Sequence, residues 1–309
     1  MLAPDLDLLR SLAREAAHAQ STRCACPHAV LADREDGTVV RHGRLVLKAH
    51  APGTGGEDHR ARIAVAADAR LRDVLLPPLA HPGRTIEGRP LTAWPYGTPV
   101  DPGDPDAAPW EDAARLLARL HRTAPPAGLP PMRAPAKAAL AVERMCRADA
   151  APRSAVDTVL RAWSTVPQAP AAPSGLLCHG DFHLGQLVRE PGTPDGRWLL
   201  IDVDDLGVGD PAWDLARPAA WFAAGILPPE VWARFLGAYQ AEGGPAAPFD
   251  DPWAALDLPA RALTVQAAAL ALAKAATENR PLDEVEEVMI DTCARIGAGR
   301  TELAPPASA

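Results

Sequence analysis

The stretch from Pro95 to Pro109, PYGTPVDPGDPDAAP, limits most narrowly what this chain can fold into. A segment so dense in Pro, Gly and Asp holds no regular helix or strand, because Pro lacks an N–H and Gly and Asp favour turns. It also separates two regions with different hydrophobic periods. Ahead of it, HAVLADREDGTVVRHGRLVLKAH contains three short Val- and Leu-rich runs, broken at Asp36-Gly37 and His42-Gly43, both good tight-turn dipeptides. This predicts an antiparallel meander. An amphipathic helix precedes it, since Leu6, Leu9, Leu12, Ala13, Ala16 and Ala17 recur at three- and four-residue steps between Asp5 and Ala19. Residues 57–76 read as a helix and Arg89 to Trp94 as a further strand. Behind the connector, WEDAARLLARLHRTAPP is a strongly periodic helix that starts near Trp110 and stops before Pro125. Further helices are expected at 212–223, 229–241, 253–279 and 283–298. The exception in this half is Leu176 to Asp205, where LLCHGDFHLGQLV and RWLLIDV flank a turn containing Pro191, Gly192, Pro194 and Gly196. The expected fold class is therefore α+β: a strand-rich part at 1–97 and a mainly helical part at 98–309.

Charge removes some functions from consideration. The formal net charge is −8, whereas binding a nucleic-acid backbone needs a basic patch that releases counterions. No uninterrupted run reaches the roughly 18 apolar residues of a membrane span, and the N-terminus carries acids where a signal peptide needs bases. No nucleic acid and no membrane are expected as partners, and the expected location is the cytoplasm. Five scattered cysteines do not describe a disulfide framework. Cys24-Ala25-Cys26, with His28 close behind, has the residue types of a metal site, but no second cluster completes four ligands, so these read as ordinary thiols.

The densest chemistry lies at His179-Gly180-Asp181, Gln186, Ile201-Asp202 and Gly209-Asp210-Pro211 with Asp214. A polar loop followed by a short hairpin would gather Asp181, Gln186 and Asp202 at one end. Two carboxylates and an amide oxygen suit Mg²⁺, which takes hard oxygen ligands and keeps waters or phosphates for the rest. Phosphoryl transfer needs such a metal, a carboxylate for the proton of the attacking hydroxyl, and a cation on the phosphates. Lys48, in LVLKAH, is placed on a strand so as to point into a cleft between the two parts and supplies the cation.

HGDFHLGQ, followed by LLIDVDDLGVGDPAWDLA, resembles the aminoglycoside phosphotransferase and choline kinase family, small-molecule relatives of the protein kinases. ARLLARLHRTAPP is similar to that family's helix before the catalytic loop, and TAWPYGTPV to its interlobe hinge. The resemblance implies a bilobal, protein-kinase-like fold with a small antiparallel-sheet N-lobe and a larger helical C-lobe. It implies that Asp181 is the catalytic base or orients the hydroxyl, that Gln186 and Asp202 hold Mg²⁺, that Lys48 pairs with the phosphates of ATP or GTP, and that His179 braces the loop. Trp94 and Tyr96 at the hinge either border the purine or pack as buried aromatics. The Asp36-Gly37 turn stands where a glycine-rich loop would cover the phosphates, or is only a turn.

Two features depart from the family pattern. Gln186 replaces the usual Asn, as in the similar loop of maltokinases. The acid that normally pairs with the strand Lys has three candidates, Glu57, Asp58 and Asp68, none with a clear claim. Among the remaining residues, His121 reads as helix-end packing, Asp210 and Asp214 as a turn and a helix cap, and Asp204 and Asp205 as either tuning the site or facing solvent. The expected function is transfer of a γ-phosphate to a small-molecule hydroxyl. An antibiotic of aminoglycoside, peptide or nucleoside type is the first acceptor class, and the acidic balance suits a cationic one. A metabolic sugar or amino-alcohol kinase is the second reading, ranked lower for the maltokinase type because a chain of 309 residues is short for that family's extra N-terminal cap. A non-catalytic nucleotide-binding regulatory module is the third.

Overall fold

Alternation of apolar and polar residues builds the first sheet. In β3 (Leu45–His50), Leu47 and Ala49 are wholly buried on one face, which leaves Lys48 and His50 on the other. With β1 (His28–Arg34), β2 (Gly37–His42), β4 (Thr85–Ile86) and β5 (Arg89–Pro95), it forms a five-stranded antiparallel sheet in the order β1-β2-β3-β5-β4. α1 (Leu6–Ala17) closes the core side with Leu9 and Ala13 against Val40, Leu47 and Ala93. The computed structural model describes residues 6–18, 24–34, 37–80, 83–167, 175–193 and 195–299. Asp5, Ala19, Asp36 and Pro194, each named above, lie outside them.

The chain divides into two compact units. The first comprises Met1–Pro109, Pro126–Pro130 and Leu184–Asp204, and the second comprises Trp110–Pro125, Pro131–His183 and Asp205–Ala309. In the first unit, the helix expected at 57–76 is shorter. α2 (Glu57–Ala66) stops there because Asp68 accepts a hydrogen bond from the Arg70 N–H and starts a separate 3₁₀ turn at Ala69–Leu71. A hairpin of β7 (Leu187–Arg189) and β8 (Trp198–Leu200) belongs to the same unit, with Leu200 bonded to Val74 and Leu76 and with the Arg189 N–H donating to Thr98. Gly97 is required at that crossing, since a Cβ would lie 2.5 Å from the Arg189 carbonyl oxygen.

The second unit is mainly helical: α3 (Trp110–Arg122), α4 (Ala134–Cys146), α5 (Arg153–Trp163), α6 (Ala212–Ala224), α7 (Pro229–Ala241), α8 (Trp253–Glu278) and α9 (Glu284–Gly297). A two-stranded ribbon of β6 (Leu176–Cys178) and β9 (Gly207–Gly209) runs among them. By length and mean hydropathy α8 could cross a membrane, but 67% of its most apolar window is buried in this unit, where it packs on α4, α6 and α9. It is the core helix around which α4, α5, α6 and α9 assemble, while α3 and α7 pack on each other.

Candidate active site

The loop after β6 is fixed by a carboxylate that the sequence reading treats as a helix cap. Asp214, in the first turn of α6, is buried and accepts the backbone N–H of His179 at 2.6 Å and of Gly180 at 2.7 Å. Nε2 of His121, on α3, lies 2.9 Å from the same carboxylate. The other nitrogen of His121, Nδ1, is 2.8 Å from the Tyr239 hydroxyl, which itself accepts the Ala246 N–H. This pattern places the ring proton on Nε2, facing Asp214. Burial alone would raise the pKa of Asp214, but the His121 hydrogen bond and the Gly180 N–H lower it on balance. His121 and Asp214 thus clamp the loop from below rather than serving only as packing and cap. Asp210 does cap the turn, accepting the Ala212 N–H at 3.0 Å. His179 is buried and ties the loop down through its main-chain N–H. Gly180 has φ +82°, and a Cβ there would lie 2.2 Å from the Asp205 carbonyl oxygen, so only glycine fits.

So held, Asp181 meets two cations. Lys137 Nζ, from α4, donates to its Oδ2 at 2.8 Å, and Arg217 Nη2, from α6, donates to its Oδ1 at 3.1 Å. Arg217 also donates to the Phe182 carbonyl, and Lys137 to Asp205 Oδ2 at 2.7 Å. Burial pushes the Asp181 pKa up, yet Lys137 first and then Arg217 outweigh it and hold the carboxyl at about 2. For Asp205 burial wins over Lys137, and its pKa is raised. A pocket opens beside Asp181, walled by Lys137, Phe182, Trp213, Arg217, Leu263 and Gln266.

In the first unit, Lys48 Nζ bonds Asp202 Oδ1 at 2.7 Å and Asp204 Oδ2 at 2.9 Å. Burial would lower the Lys48 pKa, but the Asp202 and Asp204 carboxylates raise it beyond the usual lysine value. The acid partners of Lys48 are therefore these two, and Glu57, Asp58 and Asp68 play no such part: the first two are exposed in the first turn of α2, and Asp68 is bonded to Arg70. α2 instead contributes buried His59, whose ring meets that of His50 edge to face at 4.3 Å. Burial, and next the proximity of His50, lower the His59 pKa to about 4. A relay of hydrogen bonds ends on Asp204. Trp94 Nε1–H donates to Thr92 Oγ1, the Thr92 hydroxyl donates to His50 Nε2, and His50 Nδ1–H donates to Asp204 Oδ2. Burial opposes ionisation of Asp204, but the His50 and Lys48 contacts lower its pKa strongly. Neither Asp204 nor Asp205 simply faces solvent. Tyr96, two residues beyond Trp94, has the Arg41 guanidinium 3.5 Å from its ring centroid. Gly37, at the described end of the first hairpin turn, lies 3.6 Å from Lys48 Cε by the position its Cβ would take.

Gln186 and Asp202 flank the β7–β8 hairpin, whose ladder continues with the Ile201 N–H donating to the Gln186 carbonyl at 2.9 Å. Asp202 has φ +62°, a conformation disfavoured for a residue with a Cβ, and such strain collects at functional positions. Both hydrogen bonds to its carboxylate reach Oδ1, and buried Asp204 Oδ1 has no hydrogen-bond partner among the described residues. A hard, oxygen-only donor set with an orphaned buried carboxylate oxygen fits Mg²⁺.

Lys137, Arg217, His50, His59 and Thr92 escaped the sequence reading. A lone cation in an Ala-rich helix, or a His one residue past a strand Ala, carries no local signature of a partner far along the chain. Asp181, Asp202, Gln186 and Lys48 stand out in the sequence as candidates because their spacing forms a motif.

The solved structures that this chain resembles share its fold at low identity. A choline/ethanolamine kinase family protein from Mesorhizobium loti is 19% identical over 96% of both chains, with a TM-score of 0.57. The GDP complex of aminoglycoside 2'-phosphotransferase-IIIa is 13% identical over 96% of this chain and 100% of its own, with a TM-score of 0.59. Choline kinase from Cryptosporidium parvum Iowa II is 10% identical over 96% of both chains, with a TM-score of 0.64. No curated protein matches the sequence. The model of the phosphotransferase enzyme family matches residues 30–258, most of the chain, and the protein belongs to that family.

Proposed function

We propose that this phosphotransferase moves the γ-phosphate of ATP or GTP to a hydroxyl of an antibiotic or related small metabolite, with Asp181 at the point of transfer. The observation that carries this reading is the ionised Asp181 carboxylate, held by Lys137 and Arg217 at the wall of a pocket. A carboxylate with a pKa near 2 is a weak base, so it orients the acceptor hydroxyl first and takes the proton as the new P–O bond makes that proton acidic. His179 and Gly180, tied to Asp214, keep Asp181 from drifting. Gln186 and Asp202 are assigned to Mg²⁺, with Asp204 beside them; bound there, the ion would neutralise charge on the phosphate oxygens. Lys48, oriented by Asp202 and Asp204, is assigned to the phosphates, and Trp94 and Tyr96 to the region of the purine.

Support for the acceptor class comes from the family, whose structural neighbours include both an aminoglycoside phosphotransferase and choline kinases. The Lys137 and Arg217 cations on the pocket wall are offset by the Asp181 and Asp205 carboxylates that they bond, so the wall is close to neutral. A metabolic sugar or amino-alcohol kinase is the second reading, supported by the choline kinases among the similar structures.

The test is incubation with Mg²⁺, ATP or GTP and a panel of aminoglycosides, peptide and nucleoside antibiotics, sugars and choline, read by mass. One added phosphoryl group on a panel member is the expected result. Asp181→Asn should bind nucleotide and lose turnover, and Asp202→Ala should weaken Mg²⁺-dependent nucleotide binding. Near-normal turnover in Asp181→Asn would refute the role given to that carboxylate.

A further inference from the structure

Two cysteines that look ordinary in the sequence sit beside two histidines in the fold. His18 follows the last turn of α1, its N–H still donating to the Arg14 carbonyl at 3.0 Å. Cys24 and Cys26 belong to the segment leading into β1, and His42 ends β2. The Cys24 Sγ lies 3.0 Å from His42 Nε2, and Cys26 Sγ lies 3.3 Å from His18 Nε2. All four ligand atoms fall within 4.8 Å of one another.

We propose that His18, Cys24, Cys26 and His42 form a structural Zn²⁺ site that fastens α1 to the first hairpin. Zn–N bonds of about 2.0 Å and Zn–S bonds of about 2.3 Å at tetrahedral angles put neighbouring ligand atoms about 3.3 to 3.8 Å apart, so shifts of about an ångström or less admit the ion. Two sulfurs and two imidazole nitrogens, with no carboxylate in the group, select a borderline-soft metal and exclude Mg²⁺ or Ca²⁺. A catalytic Cys–His pair needs one thiol and one base; here each thiol has its own imidazole, and the four converge.

The backbone beside two of the four ligands is tied together without the ion. The Gly43 N–H donates to the Pro27 carbonyl at 2.8 Å, tying the residue after Cys26 to the residue after His42. Gly43 has φ +61°, and the position of its Cβ would lie 3.5 Å from Cys26 Cβ, so the turn can press close to the thiol. The rings of His18 and His42 meet edge to face at 5.3 Å, with His42 buried and His18 half-buried. Cys24 is exposed, which gives the ion an entry path. The site lies wholly in the first unit and its assignment is independent of the acceptor.

The experiment is metal analysis of the full-length protein after loading with Zn²⁺ and dialysis, with Cys146→Ser, which removes an exposed thiol on α4, as the control. The expected content is about one Zn²⁺ per chain in the wild type and control, falling to about a tenth or less in Cys24→Ser/Cys26→Ser and in His42→Ala. Co²⁺ in its place should give a tetrahedral visible spectrum with a thiolate charge-transfer band. A measurement on the wild type alone guards against variants that fail to fold. Alkylation mapped by peptide mass should slow about tenfold or more at Cys24 and Cys26 on adding Zn²⁺, and not at Cys146. Zinc retained in the double serine variant, or Cys24 and Cys26 alkylated equally fast with and without Zn²⁺, overturns the site.

Discussion

Lys137 and Asp181 are joined by a 2.8 Å hydrogen-bonded ion pair, in which a lysine from the first turn of α4 reaches a carboxylate 44 residues later in the chain. Lys137 also bonds Asp205, so one ammonium holds two acids that would otherwise repel each other. Burial alone would lower the Lys137 pKa; the Asp181 and Asp205 carboxylates raise it, so the cation is present throughout the working pH range.

Replacing Lys137 by Met should therefore do more than remove a contact. Asp181 keeps Arg217 but loses its nearer cation, while Asp205 loses its principal partner. Turnover is expected to fall by about tenfold to a hundredfold, equivalent to about 1.4 to 2.8 kcal/mol of transition-state stabilisation, with nucleotide affinity little changed. Steady-state kinetics on the phosphorylated product checks this. A fall confined to nucleotide KM would place Lys137 in nucleotide binding instead.

The same pair sets the pH dependence. A carboxyl held at about 2 against an ordinary value of 3.8 gives up its proton early, so Asp181 is ionised at any pH where the fold survives. Stability from this depression is fully present above pH 3.8 and is lost as pH falls through about 2. Hence the acidic limb of kcat/KM between pH 5 and 8 should not report Asp181. In Lys137→Met the carboxyl pKa should rise, detectable by NMR titration of the aspartate side chain against the unchanged wild type.

The outline of the fold was legible because it rests on local periodicity. The meander from His28 to His50 and the helices α3, α6, α7, α8 and α9 come out within a few residues of where the apolar spacing puts them. What the sequence hid is what depends on distant pairing. The family pattern points to an acid on α2, while in the fold that helix offers His59 and the Lys48 partners follow β8. The extent of α2 was missed because a polar side chain, Asp68, redirects the backbone where the pattern alone would continue. His18 and His42 are lone histidines in sequence, and only the packing of α1 on β2 brings them to the two cysteines.

Asp214 is the site's mechanical anchor, and its removal should show in stability before chemistry is considered. Asp214→Ala leaves the His179 and Gly180 N–H groups and the His121 ring without their buried acceptor. The expected loss is about 3 to 5 kcal/mol, because each orphaned buried donor pays its desolvation in full. Urea unfolding followed by circular dichroism measures it. A loss below about 1 kcal/mol would mean that water replaces the carboxylate there.

His59 predicts an acid-sensitive first unit, and the sign follows from its lowered pKa. In the unfolded chain the imidazole protonates near pH 6.5, but in the fold burial and His50 hold protonation off until about 4. The unfolded state therefore binds the proton first as pH falls, so the stability contribution is complete above pH 6.5 and drains away down to about pH 4. The span corresponds to at most about 3 kcal/mol at 1.36 kcal/mol per pKa unit. His59→Phe keeps an aromatic ring against His50 and has nothing to protonate, so its unfolding free energy should lose less than the wild type's between pH 6.5 and 4.5. Parallel pH-dependent slopes for the two proteins would show that the buried imidazole already takes up its proton in the folded state.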